Sequence, residues 1–288
     1  MSVRSRIAPT PSGFLHLGNA VNFLLTWLLA RRAGGTLALR IDDADCARTR
    51  PEYIEDIFVQ LEWLGLGWDE GPGGPADFFR SHSQLLRLDR YRLLLARLRA
   101  AAEVFPCACS RKQIRSQSPS GLYPGTCRGR KLLPREESAI RVHVPPETHL
   151  EVDGSVVALC REMGDFLLWR RDGLPAYQLA SLADDLAEGI NLIVRGEDLR
   201  VSTAAQLFLA RALGEQGFLA AEFRHHPLLT GQNGSKLSKS DNALSLAVMR
   251  RQGARPRDVY RAAARLLGLA AERVESLTDL LALFCEGG

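Results

Sequence analysis

The sequence has no long apolar run. The longest, residues 23–30, is interrupted by Thr26 and falls far short of the roughly 20 residues that cross a bilayer as a helix. The start, Met-Ser-Val-Arg-Ser-Arg, has no apolar signal-peptide core behind it, so a cytoplasmic protein with no membrane partner is expected. There is no internal repeat and no low-complexity tract. Hydrophobic residues make up 46% and charged residues 24% of the 288 positions, which excludes a disordered chain and allows one large domain or a few smaller ones. Net charge is small, +4, with a pI near 8.8. A polyanionic partner must therefore be met by local patches. One such patch is defined by what it lacks: residues 107–135 carry seven basic side chains (Arg111, Lys112, Arg115, Arg128, Arg130, Lys131, Arg135) and no acidic one.

What is present begins with Arg6-Ile-Ala-Pro-Thr-Pro-Ser-Gly-Phe-Leu-His-Leu-Gly-Asn19. A rigid Pro/Gly turn there feeds an apolar helical run over residues 19–33, which Gly34-Gly35 ends. Helix N-termini carry unpaired N–H groups and partial positive charge, so such a turn suits phosphate. The plain alternative is a surface loop with His16 capping its own turn. A short buried strand is expected at 36–41, and a helix from about Thr49, with Pro51 in its first turn and Ile54, Ile57, Phe58, Leu61 and Leu64 on its apolar face. A third helix is expected over 82–104, with Leu85, Leu88, Leu95 and Leu98 among its apolar positions. Strand–helix alternation argues for a parallel α/β sheet. The character changes near 105, and residues 139–169 are rich in β alternation. The α/β pattern resumes with a strand at 191–195 and a helix capped by Ser202 or Thr203. From about 241 the chain is helical and basic. The expected organisation is 1–104, the first half of a catalytic sheet domain; 105–172, an inserted module; 173–240, the second half; and 241–288, a helical tail.

Four further constellations carry chemistry. Gly231-Gln-Asn-Gly-Ser-Lys-Leu-Ser-Lys-Ser240 places Lys236 and Lys239 with three serines after an Asn-Gly turn, a loop suited to triphosphate. Arg40-Ile-Asp-Asp-Ala-Asp45 puts carboxylates at the end of a strand, where α/β sheets bind ligands; the alternative is a turn in which the last Asp caps the next helix. Cys107, Cys109 and Cys127 cluster within 21 residues, which in a reducing compartment favours zinc over disulfides. Tyr123, His143, Cys160 or water can complete that set, and Tyr123 lies inside the same loop. Finally, Tyr177 follows the turn Asp172-Gly-Leu-Pro-Ala, and Arg195 ends a strand, where its planar fork suits a carboxylate.

Together these segments resemble the class I glutamyl-tRNA synthetases over nearly the whole chain. His16-Leu-Gly-Asn19 is similar to the family's first ATP signature, and Lys236-Leu-Ser-Lys-Ser240 to its mobile second one. Arg6-x-Ala-Pro-x-Pro-x-Gly13 resembles the segment that opens its glutamate enzymes. Asp172-Gly-x-Pro-x-Tyr177 and Val194-Arg-Gly196 resemble those whose Tyr and Arg bind the amino acid. The resemblance implies a Rossmann-type parallel sheet, an inserted zinc-containing module similar to an acceptor-binding domain, and a short helical tail similar to a stem-contact domain. It assigns glutamate to Arg6, Ala8, Thr10, Asp42, Tyr177 and Arg195. ATP with Mg²⁺ falls to Pro9, Gly13, His16, Gly18 and Lys239, catalysis to His16, Asn19, Lys236 and Lys239, and one structural Zn²⁺ to Cys107, Cys109, Tyr123 and Cys127.

Full-length members continue into an anticodon-binding domain that is not expected here. The Cys-x-Cys…Tyr-x-x-x-Cys loop is similar to that of a truncated branch, the glutamyl-Q tRNA(Asp) synthetases. These activate glutamate with ATP and esterify it to queuosine at the wobble position of tRNA(Asp). A monomer is expected. Two departures stand out. Asp42-Asp43 replaces the Glu-Asp usual in glutamate enzymes and matches the glutaminyl ones, and Asn19 replaces the usual His or Ser. The competing readings are a short glutamyl- or glutaminyl-tRNA synthetase charging a 3′ end, and a non-catalytic tRNA-binding paralogue.

Overall fold

A computed structural model describes residues 2–130, 132, 138–228 and 245–287. Its strands are β1 (Arg4–Ile7), β2 (Thr36–Leu39), β3 (Val104–Cys107), β4 (Ala139–Val142), β5 (His149–Val152), β6 (Ser155–Ala158), β7 (Phe166–Trp169), β8 (Leu192–Gly196) and β9 (Glu222–His226). The chain divides into two compact units. The first holds Met1–Leu86, Ile190–Glu197 and Glu222–Gly288, and the second Arg87–Gly189 and Asp198–Ala221.

In the first unit β1 pairs with β2 and β8 with β9, both in parallel. The Asn191 N–H donates to the Arg4 carbonyl at 3.0 Å, and Ser5 Oγ donates to the Leu192 carbonyl at 2.8 Å. These bonds set β8 beside β1, so the strands lie in the order β2-β1-β8-β9. The chain leaves β1 towards β2 on one side and returns to β8 on the other. The crossover from β1 to β2 is the helix Leu17–Arg32, buried at Ala20, Val21, Phe23, Leu24, Leu25, Thr26, Leu28 and Ala30. A helix this apolar on most sides belongs inside a core. Arg31 and Arg32 sit in its last turn, where cations suit the helix dipole, and Gly34 takes φ +59° just beyond its end.

The helix Pro51–Trp63 starts two residues after Thr49 and has no side-chain cap. Beyond it the chain returns to the edge of β2, where the Leu39 N–H donates to the Glu70 carbonyl at 2.8 Å. Gly71 follows with φ +110°, and a Cβ there would fall 2.2 Å from the Leu39 carbonyl oxygen. Only glycine fits that close approach. The tail contributes the helices Leu246–Arg251, Pro256–Leu266 and Leu277–Glu286. Val259, Ala263, Ala264, Leu280 and Leu283 share one core with Leu24, Leu28, Ile57 and Leu61, and Tyr260 Oη donates to the Leu64 carbonyl at 2.8 Å.

The second unit carries the antiparallel sheet β3-β4-β7, the hairpin β5-β6 and three long helices, Leu88–Ala101, Tyr177–Ala187 and Arg200–Leu213. Asp184, fully buried, accepts from Arg90 at 2.9 Å and from Tyr91 Oη at 2.8 Å, pinning the first two helices together. The expected helix over 82–104 is shorter than its apolar spacing implies. Gln84–Arg87 is a 3₁₀ turn and the α-helix begins at Leu88, because Asp43 captures Ser83 and the Gln84 N–H. Leu85, expected in the apolar face, is 40% exposed. The later helix begins at Arg200 with no side-chain cap. Ser202 instead accepts from Gln178 at 3.2 Å.

Candidate active site and metal centre

The first unit's site lies at the carboxyl ends of its strands, where the chain direction switches between β1 and β8. Open α/β sheets bind ligands at this place. Past β2 the chain runs alongside the chain past β1: the Arg40 N–H donates to the Ile7 carbonyl and the Asp42 N–H to the Pro9 carbonyl, both at 2.9 Å. Residues 8–10 are thus backed by residues 40–42. Arg6 on β1, Arg195 on β8, Arg40, Asp42 and Asp43 are all at most 7% exposed.

Charges buried this deeply must be answered. Arg40 Nε donates to Asp42 Oδ1 at 2.7 Å, and Gln84 Nε2 reaches the same oxygen at 3.3 Å. The neighbouring aspartate has a different task. Asp43 accepts from Ser83 Oγ at 2.5 Å and the Gln84 N–H at 2.7 Å, holding the turn before Leu88. Capping in this acidic run therefore falls to Asp43. Asp45 pairs with Arg48 and leaves the helix Pro51–Trp63 uncapped.

His16 is the N-cap of the helix Leu17–Arg32. Its Nδ1 accepts from the Asn19 N–H at 3.3 Å, and Asn19 Oδ1 accepts from the His16 N–H at 3.1 Å. This reciprocal capping box satisfies two donors that a helix start leaves orphaned. It also selects a tautomer: with Nδ1 accepting, the neutral imidazole carries its proton on Nε2 and can donate there. Gly18 makes room for the ring, since a Cβ at that position would lie 3.0 Å from His16 Cε1. At Gly13 a Cβ would meet nothing within 4 Å, so that edge of the turn is open.

The first unit thus brings Arg6, Ala8, Pro9, Thr10, Asp42 and Arg195 to the strand ends, and Gly13, His16, Gly18 and Asn19 to the adjoining helix start. Tyr177 opens a helix of the second unit and is 39% exposed. Its turn folds back on β7, with the Ala176 N–H donating to the Leu168 carbonyl at 2.9 Å. Lys236 and Lys239 lie outside the described residues. Sequence reasoning missed Arg40 and Gln84 as partners of Asp42. Gln84 is 42 positions away, and no spacing rule connects the two.

The cysteine cluster belongs to the second unit. Cys107 ends β3, and the sulfurs of Cys107, Cys109 and Cys127 lie within 4.8 Å of one another. Cys109 and Cys127 Sγ are 3.5 Å apart. Tyr123 Oη lies 3.5 Å from Cys107 Sγ and 3.9 Å from Cys109 Sγ. A tetrahedral zinc with ordinary bond lengths of about 2.3 Å to sulfur and about 2.0 Å to oxygen has edges of about 3.8 Å between sulfurs and about 3.5 Å from sulfur to oxygen. The three edges measured lie within about 0.4 Å of those of such a cage. His143 Nδ1 is 2.9 Å from Asp165 Oδ1 instead, and neither it nor Cys160 joins the group.

Electrostatically the cluster is unsettled. Burial pushes the Cys109 thiol up, and hydrogen bonding from Cys127 and the charge of Cys107 push it further. Burial likewise raises the Tyr123 phenol far above its ordinary value. For Cys127 burial acts upward too, but hydrogen bonds from Tyr123, the Ala108 backbone and the other two cysteines outweigh it and bring the thiol down to about 7. The Arg141 guanidinium lies over the Tyr123 ring, 4.1 Å from its centroid, and donates to the Asp165 carbonyl at 2.9 Å.

Residues 2–282 match the family described as tRNA synthetases class I (E and Q), catalytic domain. The chain is 43% identical to a glutamyl-Q tRNA(Asp) synthetase from Symbiobacterium thermophilum, over 92% of this chain and 86% of that one. It is 39% identical to a protein of the same name from Nitratidesulfovibrio vulgaris, over 94% and 88%. The crystal structure of a glutamate-tRNA synthetase from Elizabethkingia anophelis superposes with a TM-score of 0.78 at 27% identity. That match covers 98% of this chain and 65% of that one. Among the described residues no helix is long and apolar enough to cross a membrane. The chain belongs to the class I tRNA synthetases of the E and Q type, a family of aminoacyl-tRNA ligases whose members similar to it include the glutamyl-Q tRNA(Asp) synthetases.

Proposed function

We propose that this protein activates L-glutamate with ATP and transfers it to the queuosine base at the wobble position of tRNA(Asp). The observation that carries the activation step is the pair of buried arginines, Arg6 and Arg195, on adjacent strands at the switch point, beside a capped helix N-terminus. Two fixed cations suit a substrate with two carboxylates.

An oxygen of the glutamate α-carboxylate attacks the α-phosphorus of ATP. The bond from that phosphorus to the bridging oxygen breaks, and pyrophosphate leaves. Such displacement needs positioning and charge neutralisation more than covalent chemistry. His16 Nε2–H and the first-turn N–H groups of the helix Leu17–Arg32 hold the phosphates. Gly13 and Gly18 keep the approach open, Asn19 locks the imidazole, and Lys236 and Lys239 neutralise the departing pyrophosphate. ATP arrives with Mg²⁺. Ala8, Pro9 and Thr10 line the turn. Tyr177 donates a hydrogen bond to glutamate, and Asp42, already shared with Arg40, takes the ammonium group. A queuosine hydroxyl then attacks the glutamyl carbonyl carbon and AMP leaves.

One Zn²⁺ held by Cys107, Cys109, Tyr123 and Cys127 stabilises the module that meets tRNA(Asp). Arg111, Lys112, Arg115, Arg128 and Arg130 are exposed there and contact phosphates. The experiment is glutamate incorporation into tRNA(Asp) with and without queuosine. Incorporation only into the modified tRNA is expected, and equal incorporation into both overturns the proposal. The Asp42-Asp43 pair favours one second reading, a glutaminyl enzyme. Pyrophosphate exchange driven by glutamine more strongly than by glutamate would establish it.

A further inference from the structure

The helix Pro51–Trp63 buries an apolar face, yet Asp56 and Gln60 on it are only 7% and 2% exposed. Asp56 Oδ2 accepts the Leu15 N–H at 3.0 Å, and its Oδ1 accepts Gln60 Nε2 at 2.8 Å. Leu15 immediately precedes His16. Its carbonyl accepts the Leu246 N–H at 2.8 Å. The peptide leading into the cap is therefore gripped from both sides, by a carboxylate of one helix and by the first residue of another. The same helix holds the preceding residue as well: the Phe14 ring meets Tyr53 edge-on at 5.0 Å.

A buried carboxylate is costly. A single acceptor for one loop amide justifies it only where that loop must not move. Removing the acceptor leaves the Leu15 N–H buried and unsatisfied, and the turn is then free to shift. A displacement of about 1 Å at a positioning group is enough to cost a large factor in rate.

We propose that Asp56 is a positioning residue for the nucleotide turn. Its carboxylate anchors Leu15, so that His16 and the first-turn amides of the helix Leu17–Arg32 face the phosphates in one fixed geometry. Asp56 acts through Leu15 and does not itself touch substrate. The inference rests on the ATP reading above.

The test compares wild type, Asp56→Ala and Asp56→Asn in glutamate-dependent ATP–pyrophosphate exchange, with hydrogen exchange of the Leu15 amide and circular dichroism on the same samples. Asp56→Ala is expected to lower kcat/KM for ATP at least about tenfold while the KM for glutamate stays within about twofold, and to speed Leu15 amide exchange. Asp56→Asn can still accept from Leu15 with Oδ1 and, after an amide flip, donate to Gln60 Oε1, which has no partner. It is expected to restore Leu15 protection and most of the ATP dependence. Unchanged ATP kinetics in folded Asp56→Ala overturns the proposal. So does Asp56→Asn that protects Leu15 yet loses ATP use, because charge rather than anchoring would then be at work. If Asp56→Ala does not fold, Asp56→Asn carries the test on the same two readouts. Absence of exchange in the wild type would sink the activation reading, and Leu15 protection would still test the anchor.

Discussion

The strand-end site and the cysteine cluster are both dense in polar groups, and they handle charge in opposite ways. At the strand ends Asp42 is answered by Arg40 and Gln84, Asp43 by Ser83 and Gln84, and His16 by Asn19. At the cluster three thiols and a phenol crowd together, and two of the four are pushed towards holding their protons. The first holds these side chains in place through the chain's own pairs, which suits substrates that come and go. The second would be completed by a cation, as the proposed zinc requires.

The comparison breaks most visibly at the cluster. Protein purified without chelator is expected to carry about one zinc per chain, and Cys109→Ser or Cys127→Ser close to none, read by elemental analysis. Stripping the metal should lower stability by about 3 kcal/mol or more, measured as a drop in thermal midpoint. Native protein without zinc would erase the contrast between the two regions.

At the strand ends the expected damage comes from removing one half of a pair. Asp42→Ala removes the carboxylate that Arg40 Nε pairs with in the buried interior, and should cost about 3–5 kcal/mol in urea unfolding. A double variant, Arg40→Leu with Asp42→Leu, should recover most of that stability while glutamate use stays lost. That outcome would separate Asp42's structural task from its substrate task; equal loss in both variants would show the pair to be purely structural.

A finer test concerns the fourth ligand. In the metal-free protein Tyr123 holds its proton, whereas ligation as phenolate must release it. Zinc uptake by Tyr123→Phe at pH 7 should therefore release about one proton fewer than uptake by wild type, measured calorimetrically in buffers of different ionisation heat. An unchanged count would give the fourth position to water.

The smallest effect is expected at Gly18. Alanine suits a helix better than glycine by roughly 0.5–1 kcal/mol, but its Cβ would press on the His16 ring. Gly18→Ala should melt no lower than wild type and yet show a several-fold higher KM for ATP in pyrophosphate exchange. An unchanged KM would mean the ring can shift without consequence.

Much of this was legible along the chain because it depends on near neighbours. The helix Leu17–Arg32 and its glycine stop follow from local pattern, as do the strands β2 and β8 and the spacing of Cys107, Cys109 and Cys127; the strand β1, four residues before the Pro/Gly turn, gave no such pattern. The failures have one cause. Leu85 and Leu88 share an apolar spacing with Leu95 and Leu98, but Asp43, more than forty residues away, takes the Gln84 N–H and starts the helix late. Ser202 was a good local cap until Gln178 claimed its hydroxyl. Asp56 was invisible because an aspartate on an apolar helix gives no signal of the loop amide it meets.

The sequence by itself determined the kind of protein this is: motif residues at set spacings, a basic stretch without acid, and parallel α/β alternation. These are properties of residues close in the chain, where side-chain type and spacing dictate local geometry. Only the tertiary structure decided which charges are answered and by whom. Arg40 and Gln84 on Asp42, Asp56 on Leu15 and Arg141 over Tyr123 depend on elements packed together from distant parts of the chain. In a buried, low-dielectric interior those pairings set the energetics of a site more than the identity of its motif residues does.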